Sequence, residues 1–223
     1  MEKTKLIMEV LYSEYGSILE TNCYKANKLK NKYKLKTKDS LSEVNFLFSQ
    51  RSDILHLVYS YTNLEVEKLH KKSENKLLAK EGENELKVPR PSFIITDWKN
   101  ILTLYGLNYK NLNGWFFKVE SIDDLEKKIK DTYSKAIEII IDLNKKLETP
   151  DGLLGILFKN NELNEHLDVY DAINILATSK SISEERLLSS YSKITSCIQY
   201  KNITKDSKLE IEKYFNELMT IDE

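Results

Sequence analysis

Asp39-Ser40-Leu41-Ser42-Glu43-Val44-Asn45-Phe46-Leu47-Phe48-Ser49-Gln50-Arg51-Ser52-Asp53-Ile54-Leu55-His56-Leu57-Val58-Tyr59 reads as a helix and sets the expectation for the whole chain. Ser40 sits at the cap position, and Glu43, three residues on, is its capping-box partner. Apolar side chains follow at Leu41, Val44, Leu47/Phe48, Leu55 and Val58, and Arg51 falls on that stripe. The pattern runs on through Leu64 and Leu69 to about Lys80, with Tyr61-Thr62-Asn63 as an interruption.

Working upstream, Leu6, Ile7, Val10, Leu11 and Tyr15 form a helical stripe over residues 3–15. Gly16-Ser17 reads as a break, with Ser17 capping a second helix from Ile18 to about Tyr33. That helix is expected to end in the lysine run Lys25, Lys28, Lys30, Lys32, Lys34, Lys36 and Lys38, where cations suit the macrodipole. Downstream, residues 81–91 hold two of the three prolines and read as loop. Residues 92–99 form a short strand or a helix entry capped at Thr96, and residues 113–120 have the best strand character in the chain.

From Ser121 a helix carries Leu125, Ile129, Tyr133, Ile137, Ile140 and Leu147, and Pro150-Asp151-Gly152 ends it. Four short helices are expected at about 152–160, 162–178, 183–199 and 206–220. With 6 Gly and 3 Pro among 223 residues, turn-rich sandwiches and barrels are disfavoured. The expected fold is therefore mainly α, a multi-helix bundle with room for a small two-stranded insertion around residues 90–120. Its parts are an N-terminal helical region (1–80), a linker or insertion (81–120) and a C-terminal helical region (121–223), a division that also allows one domain.

Hydrophobic residues at 41% with charged residues at 31% fit a folded soluble chain and not a disordered one. Basic and acidic groups, 34 and 35, nearly cancel, which excludes a uniformly basic nucleic-acid coat. The charge is uneven, at +5 over residues 1–80 and −6 over the rest, so the N-terminal third is the place for a polyanion. Cys23 and Cys197 lie far apart, match no metal-ligand spacing and read as reduced thiols. The first residues lack the apolar core of a signal peptide, and no apolar run is long enough to span a bilayer. A cytoplasmic protein with no membrane partner is expected.

Arginine is used only three times, at Arg51, Arg90 and Arg186, so each marks a place where guanidinium geometry is of interest. Arg51 and His56 are separated by four residues, with the polar pair Ser52-Asp53 directly after the arginine. This spacing resembles the R-x4-6-H motif of the HEPN superfamily, small all-helical proteins many of which cut RNA without metal. The resemblance covers about residues 1–80 and implies a metal-independent RNA endonuclease in a bacterial toxin or phage-defence setting. It also implies a homodimer, because one motif supplies half a site, and it calls for no cofactor and no metal.

In that chemistry an imidazole titrating near neutrality moves the proton of the attacking 2′-hydroxyl, which assigns acid/base work to His56. A guanidinium holds the scissile phosphate through paired hydrogen bonds, the part given to Arg51, while Ser52 and Asp53 orient the two. Five residues along a straight helix rotate by roughly 500°, leaving Arg51 and His56 about 140° apart. The helix must therefore break near Ser52, or the side chains must meet across a dimer cleft. The plainer alternative has Arg51 snorkelling to Glu43 or Asp53 and His56 at a surface or interface.

Other candidate sites are weaker. Lys25, Lys28, Lys30, Lys32 and Lys34, interleaved with Tyr24 and Tyr33, suit an RNA backbone, or equally a solvated helix face. Glu85-Leu86-Lys87 with Asp53 or Asp97 fits a fragment of a magnesium nuclease motif but lies in a loop-like segment. His70 and His166 read as surface residues, and Trp98, Trp115, Phe116 and Phe117 as core. Phosphate-binding loops, dinucleotide fingerprints and serine- or zinc-hydrolase motifs are missing. The competing reading is a non-catalytic interaction protein (an accessory subunit, immunity factor or mobile-element regulator) working through a protein partner.

Overall fold

The computed structural model describes residues 2–29, 31–81, 91–95, 99–106, 116–120, 125–163 and 167–221. The chain opens with α1 (Glu2–Leu11), a π-helical turn (Tyr12–Gly16) and α2 (Ser17–Thr21). Four strands follow: β1 (Lys25–Ala26), β2 (Lys32–Lys36), β3 (Ser40–Ser49) and β4 (Ile54–Asn63). Then come α3 (Leu64–Glu81), β5 (Phe93–Ile95), α4 (Lys99–Leu104) and β6 (Phe116–Lys118). The remainder is helical: α5 (Leu125–Leu147), α6 (Pro150–Leu163), α7 (Val169–Ile182), α8 (Glu184–Ser196), α9 (Ile198–Asn202) and α10 (Lys205–Met219).

The expectation of a mainly α bundle with a small two-stranded insertion is overturned. The strands form one six-stranded sheet in the order β1-β2-β3-β4-β5, with β6 also pairing β4. The stretch 39–59 is not a helix but the long hairpin β3–β4, and no described member of the lysine run lies on a helix end: Lys25 is on β1, Lys28 in the turn after it, Lys32, Lys34 and Lys36 on β2, and Lys38 in the turn before β3. The strands at 93–95 and 116–118 are additions to this sheet, not an insertion of their own.

Burial explains the outcome. In β3 the alternate residues Ser42, Val44 and Phe46 are buried, and in β4 Leu55, Leu57 and Tyr59 are. A period of two puts each set on one sheet face, which a helix of this sequence cannot do. Ser40 bonds Thr37 Oγ1 within the turn before β3, so its capping-box role is not realised.

The chain forms two compact units, each assembled from two stretches: 1–61 with 94–146, and 62–93 with 147–223. In the first unit the π-helical turn and α5 pack against one face of the sheet. Phe46 is the centre of this packing: Tyr15 stacks on it at 6.3 Å, Tyr33 meets it edge-on at 6.2 Å, and Tyr133 lies 5.7 Å away. Each such buried aromatic contributes about 1.5–3 kcal/mol. The polar tips are satisfied by main chain, since Tyr15 Oη donates to Ile129 O and Tyr133 Oη to Leu55 O. Gly16 is required at its position, because a Cβ there would meet the Tyr12 ring at 2.5 Å.

Among the described residues, the regular structure of the second unit is helical apart from strand ends. Its centre is α7, where every residue from Ala172 to Lys180 is buried, as expected of a helix packed against α3, α6, α8 and α10 at once. Asn63 caps α3 by accepting from the amides of Glu65 and Val66, and Ser183 caps α8 by accepting from the amide of Arg186. Glu217 of α10, only 3% exposed, receives the ammonium groups of Lys76 and Lys80 from α3. His70 is the second correction: it is not at the surface but 1% exposed, held between Asn174 and Tyr214.

Candidate functional site

The second face of the sheet carries the candidate site. On β2, Lys32-Tyr33-Lys34-Leu35-Lys36 alternates strictly. Tyr33 goes to the aromatic core, so the three lysines go to the opposite face. The β2–β3 register sets Lys32 across from Asn45, Lys34 from Glu43 and Lys36 from Leu41. The β1–β2 register sets Lys25 across from Lys34. On β4, His56 alternates with the buried Leu55 and Leu57 and therefore shares the lysine face. Lys118 joins it from β6, as the partner of Ile54.

Glu43 is the acid among these residues. It takes Lys32 at 2.9 Å and Lys34 at 2.7 Å. Burial alone would push its pKa up, but the hydrogen bonds from Lys34 and Lys32 outweigh it and hold the carboxyl below the ordinary glutamate value. Lys25 and Lys36 make no ion pair among the described residues. They line a shallow groove of about 320 Å3 with Lys34, Asn27 and Cys23.

Asn27 shapes this edge, because its side-chain oxygen accepts from the amides of Asn31 and Lys32 and closes the β1–β2 turn. Lys28 is exposed on that turn, while Lys30 lies outside the described residues. Both cysteines are free thiols, Cys23 exposed and Cys197 partly so.

Arg51, Ser52 and Asp53 form the β3–β4 loop, and His56 follows two residues into the strand. The rotation that separates Arg51 and His56 on a helix is therefore irrelevant. Arg51 is exposed and ion-pairs with neither Glu43 nor Asp53, whose partners are lysines. Ser52 is exposed and donates to Ser49 Oγ at 2.7 Å. Asp53 sits in the left-handed region at φ 53° and binds Lys3 Nζ at 2.7 Å, and its carbonyl accepts from Val119 N. That carboxylate fastens the loop to α1. His56 is partly buried.

Glu85, Lys87, Asp97, Trp98, Trp115 and His166 lie outside the described residues. Among the described residues there is no group of three or more His, Cys, Asp or Glu side chains placed to hold a metal, and no helix long and apolar enough to cross a membrane. No family model, curated protein or solved structure matches the chain.

Sequence reasoning missed the pairing of Lys25 with Lys34 and the sharing of one face by lysines and His56. The signal was present in the alternation of residues 32–36. It also missed the buried polar cluster of Ser42, Tyr59 and Asn144, in which Ser42 Oγ donates to Asn144 Oδ1 beneath the sheet.

Proposed function

We propose that this chain is a binding protein whose first unit takes a polyanion, RNA foremost, along the lysine face of its sheet. The observation that carries this reading is the cross-strand pair Lys25–Lys34 with Lys36 beside it, lining one groove. Like charges set directly opposite one another weaken a sheet, so such a cluster is explained by a ligand that neutralises it. A phosphate backbone does so and releases its own counterions on binding. Leu47, 49% exposed on the same face, offers apolar surface to a base.

The test is titration of a labelled single-stranded RNA across a salt series, read by fluorescence anisotropy. The Lys25→Gln/Lys34→Gln/Lys36→Gln variant should bind more weakly, with a salt slope flatter by about 2. Equal affinity and slope would sink the proposal.

A second reading, metal-independent RNA cleavage by a homodimer in a toxin or phage-defence setting, is favoured by one observation. His56 lies on the lysine face, and Arg51 stands exposed at the end of the same hairpin with its guanidinium in no ion pair among the described residues. Arg51 would grip the phosphate, His56 would move the proton, and Ser52 would orient them, with Asp53 holding the loop in place through Lys3. RNA cleavage in EDTA, lost in both His56→Ala and Arg51→Ala, supports this reading. Binding without cleavage leaves the first reading standing alone.

A further inference from the structure

We propose that the second unit holds a separate binding site for a small organic phosphate, in a cavity beside α3 and the C-terminal end of α7. The cavity has a volume of about 460 Å3, within the range of small-molecule sites. Lys68 and Lys72 of α3, Lys180 of α7, Glu65, Leu69 and Ile221 line it. Among the described residues of the lining, three ammonium groups stand against one carboxylate, a net charge of +2.

Lys180 is the member that points to a ligand. Its side chain is 6% exposed, at the end of the fully buried run of α7. Among the described residues its one carboxylate within ion-pair distance is Glu184 Oε2 at 3.9 Å, beyond hydrogen-bond length and on a side chain that is 58% exposed. The buried stem fixes this side chain in place on the cavity wall, where acceptor atoms of a ligand would meet the ammonium N–H groups. Lys68 and Lys72 stand one turn apart on the same face of α3, a like-charge spacing that is unfavourable in an isolated helix. Neither makes an ion pair among the described residues.

The ligand class follows from this lining. A phosphate monoester brings up to two negative charges and several acceptor oxygens to three ammonium groups, which a single carboxylate does not match. Leu69 and the buried Ile221 supply an apolar wall, which suits an organic group attached to the phosphate rather than the bare ion.

Phenyl phosphate is the probe, titrated into the full chain and followed by thermal shift and calorimetry, with phenol as the neutral control. Saturable binding by the wild type and by Lys159→Gln, a substitution on α6 outside the cavity, is expected. Lys68→Gln/Lys72→Gln, which alters only exposed side chains, should weaken binding about tenfold or more. Lys180→Gln should abolish it. The site is refuted if the wild type binds no phenyl phosphate, if phenol binds as well, or if Lys68→Gln/Lys72→Gln binds like wild type. Phenyl phosphate binding lost equally in Lys25→Gln/Lys34→Gln/Lys36→Gln would assign it to the sheet face and also refute the site.

Discussion

Lys25 and Lys34 are direct Cα partners across the β1–β2 ladder, two ammonium groups where a sheet built for stability alone would set opposite charges. Glu43, the cross-strand partner of Lys34 on β3, offsets part of that repulsion by drawing in Lys34 and Lys32. If the sheet face binds RNA as proposed, stability and binding make opposite demands on position 25.

Lys25→Glu should accordingly separate the two. Facing Lys34, the new carboxylate should stabilise the fold by about 0.2–1 kcal/mol in urea unfolding. The same variant should bind RNA more weakly than wild type. A loss of stability would show that the Lys25–Lys34 pair carries no strain.

His70, Asn174 and Tyr214 make a buried network in which the roles follow from chemistry. Asn174 Oδ1 only accepts, so His70 Nε2 carries a proton at 2.8 Å, and Nδ1 of the neutral ring accepts from Tyr214 Oη at 2.6 Å. Tyr214→Phe removes the donor to a buried nitrogen and should cost about 1–3 kcal/mol, measured by urea unfolding. A change within error would mean that the hydrogen bond is not part of the folded state.

Asp171, in the first turn of α7, has its pKa pushed up to about 6 by burial, with a further rise from the Asp168 carboxylate. The folded state holds this proton more tightly than the unfolded chain. Its ionisation therefore costs stability as pH rises from the ordinary aspartate range of about 4 through 6. Asp171→Asn should raise the melting temperature above that window, and the gain should shrink as pH falls through it.

Glu217 runs the other way. Burial alone would raise its pKa, but hydrogen bonds from Lys80, Lys76 and Thr220 hold it below the ordinary glutamate value. Its contribution is complete above that value and is lost as pH falls through the lowered one. Glu217→Gln should lower the melting temperature at neutral pH and flatten its acid limb. An unchanged acid limb would place the acid sensitivity elsewhere.

Helices α5, α8 and α10 were legible because each buries one stripe at a spacing of three and four, whereas α7 is buried nearly all round and begins at Val169 rather than 162, and α9 is a separate helix that the expected span 183–199 did not divide. Ile129, Tyr133, Ile137 and Ile140 of α5 are all buried, and Ser183 caps α8. The hairpin was not legible for a definite reason. Its strands carry apolar residues on both faces, Leu41, Leu47 and Val58 against Val44, Phe46 and Leu57, so spacings of two, three and four are all present. Ser42 on the buried face further blurs the alternation; it is tolerated there because Asn144 accepts its hydrogen bond. Ser17 likewise resembles a cap, yet the helix stops at Thr21, where Cys23 turns into the left-handed region at φ 66°.

Local order was sufficient to set α5, α8 and α10, the excess of positive charge in the first 80 residues and the proximity of Arg51 to His56 along the chain. Pairing between distant strands decided the rest. The side on which a lysine emerges depends on register and sheet face, and the burial of Lys180 or His70 depends on helices more than a hundred positions away in the chain for His70 and its partners. Such relations are set by which surfaces pack together, and a linear pattern that fits two periods equally leaves that choice to the tertiary fold.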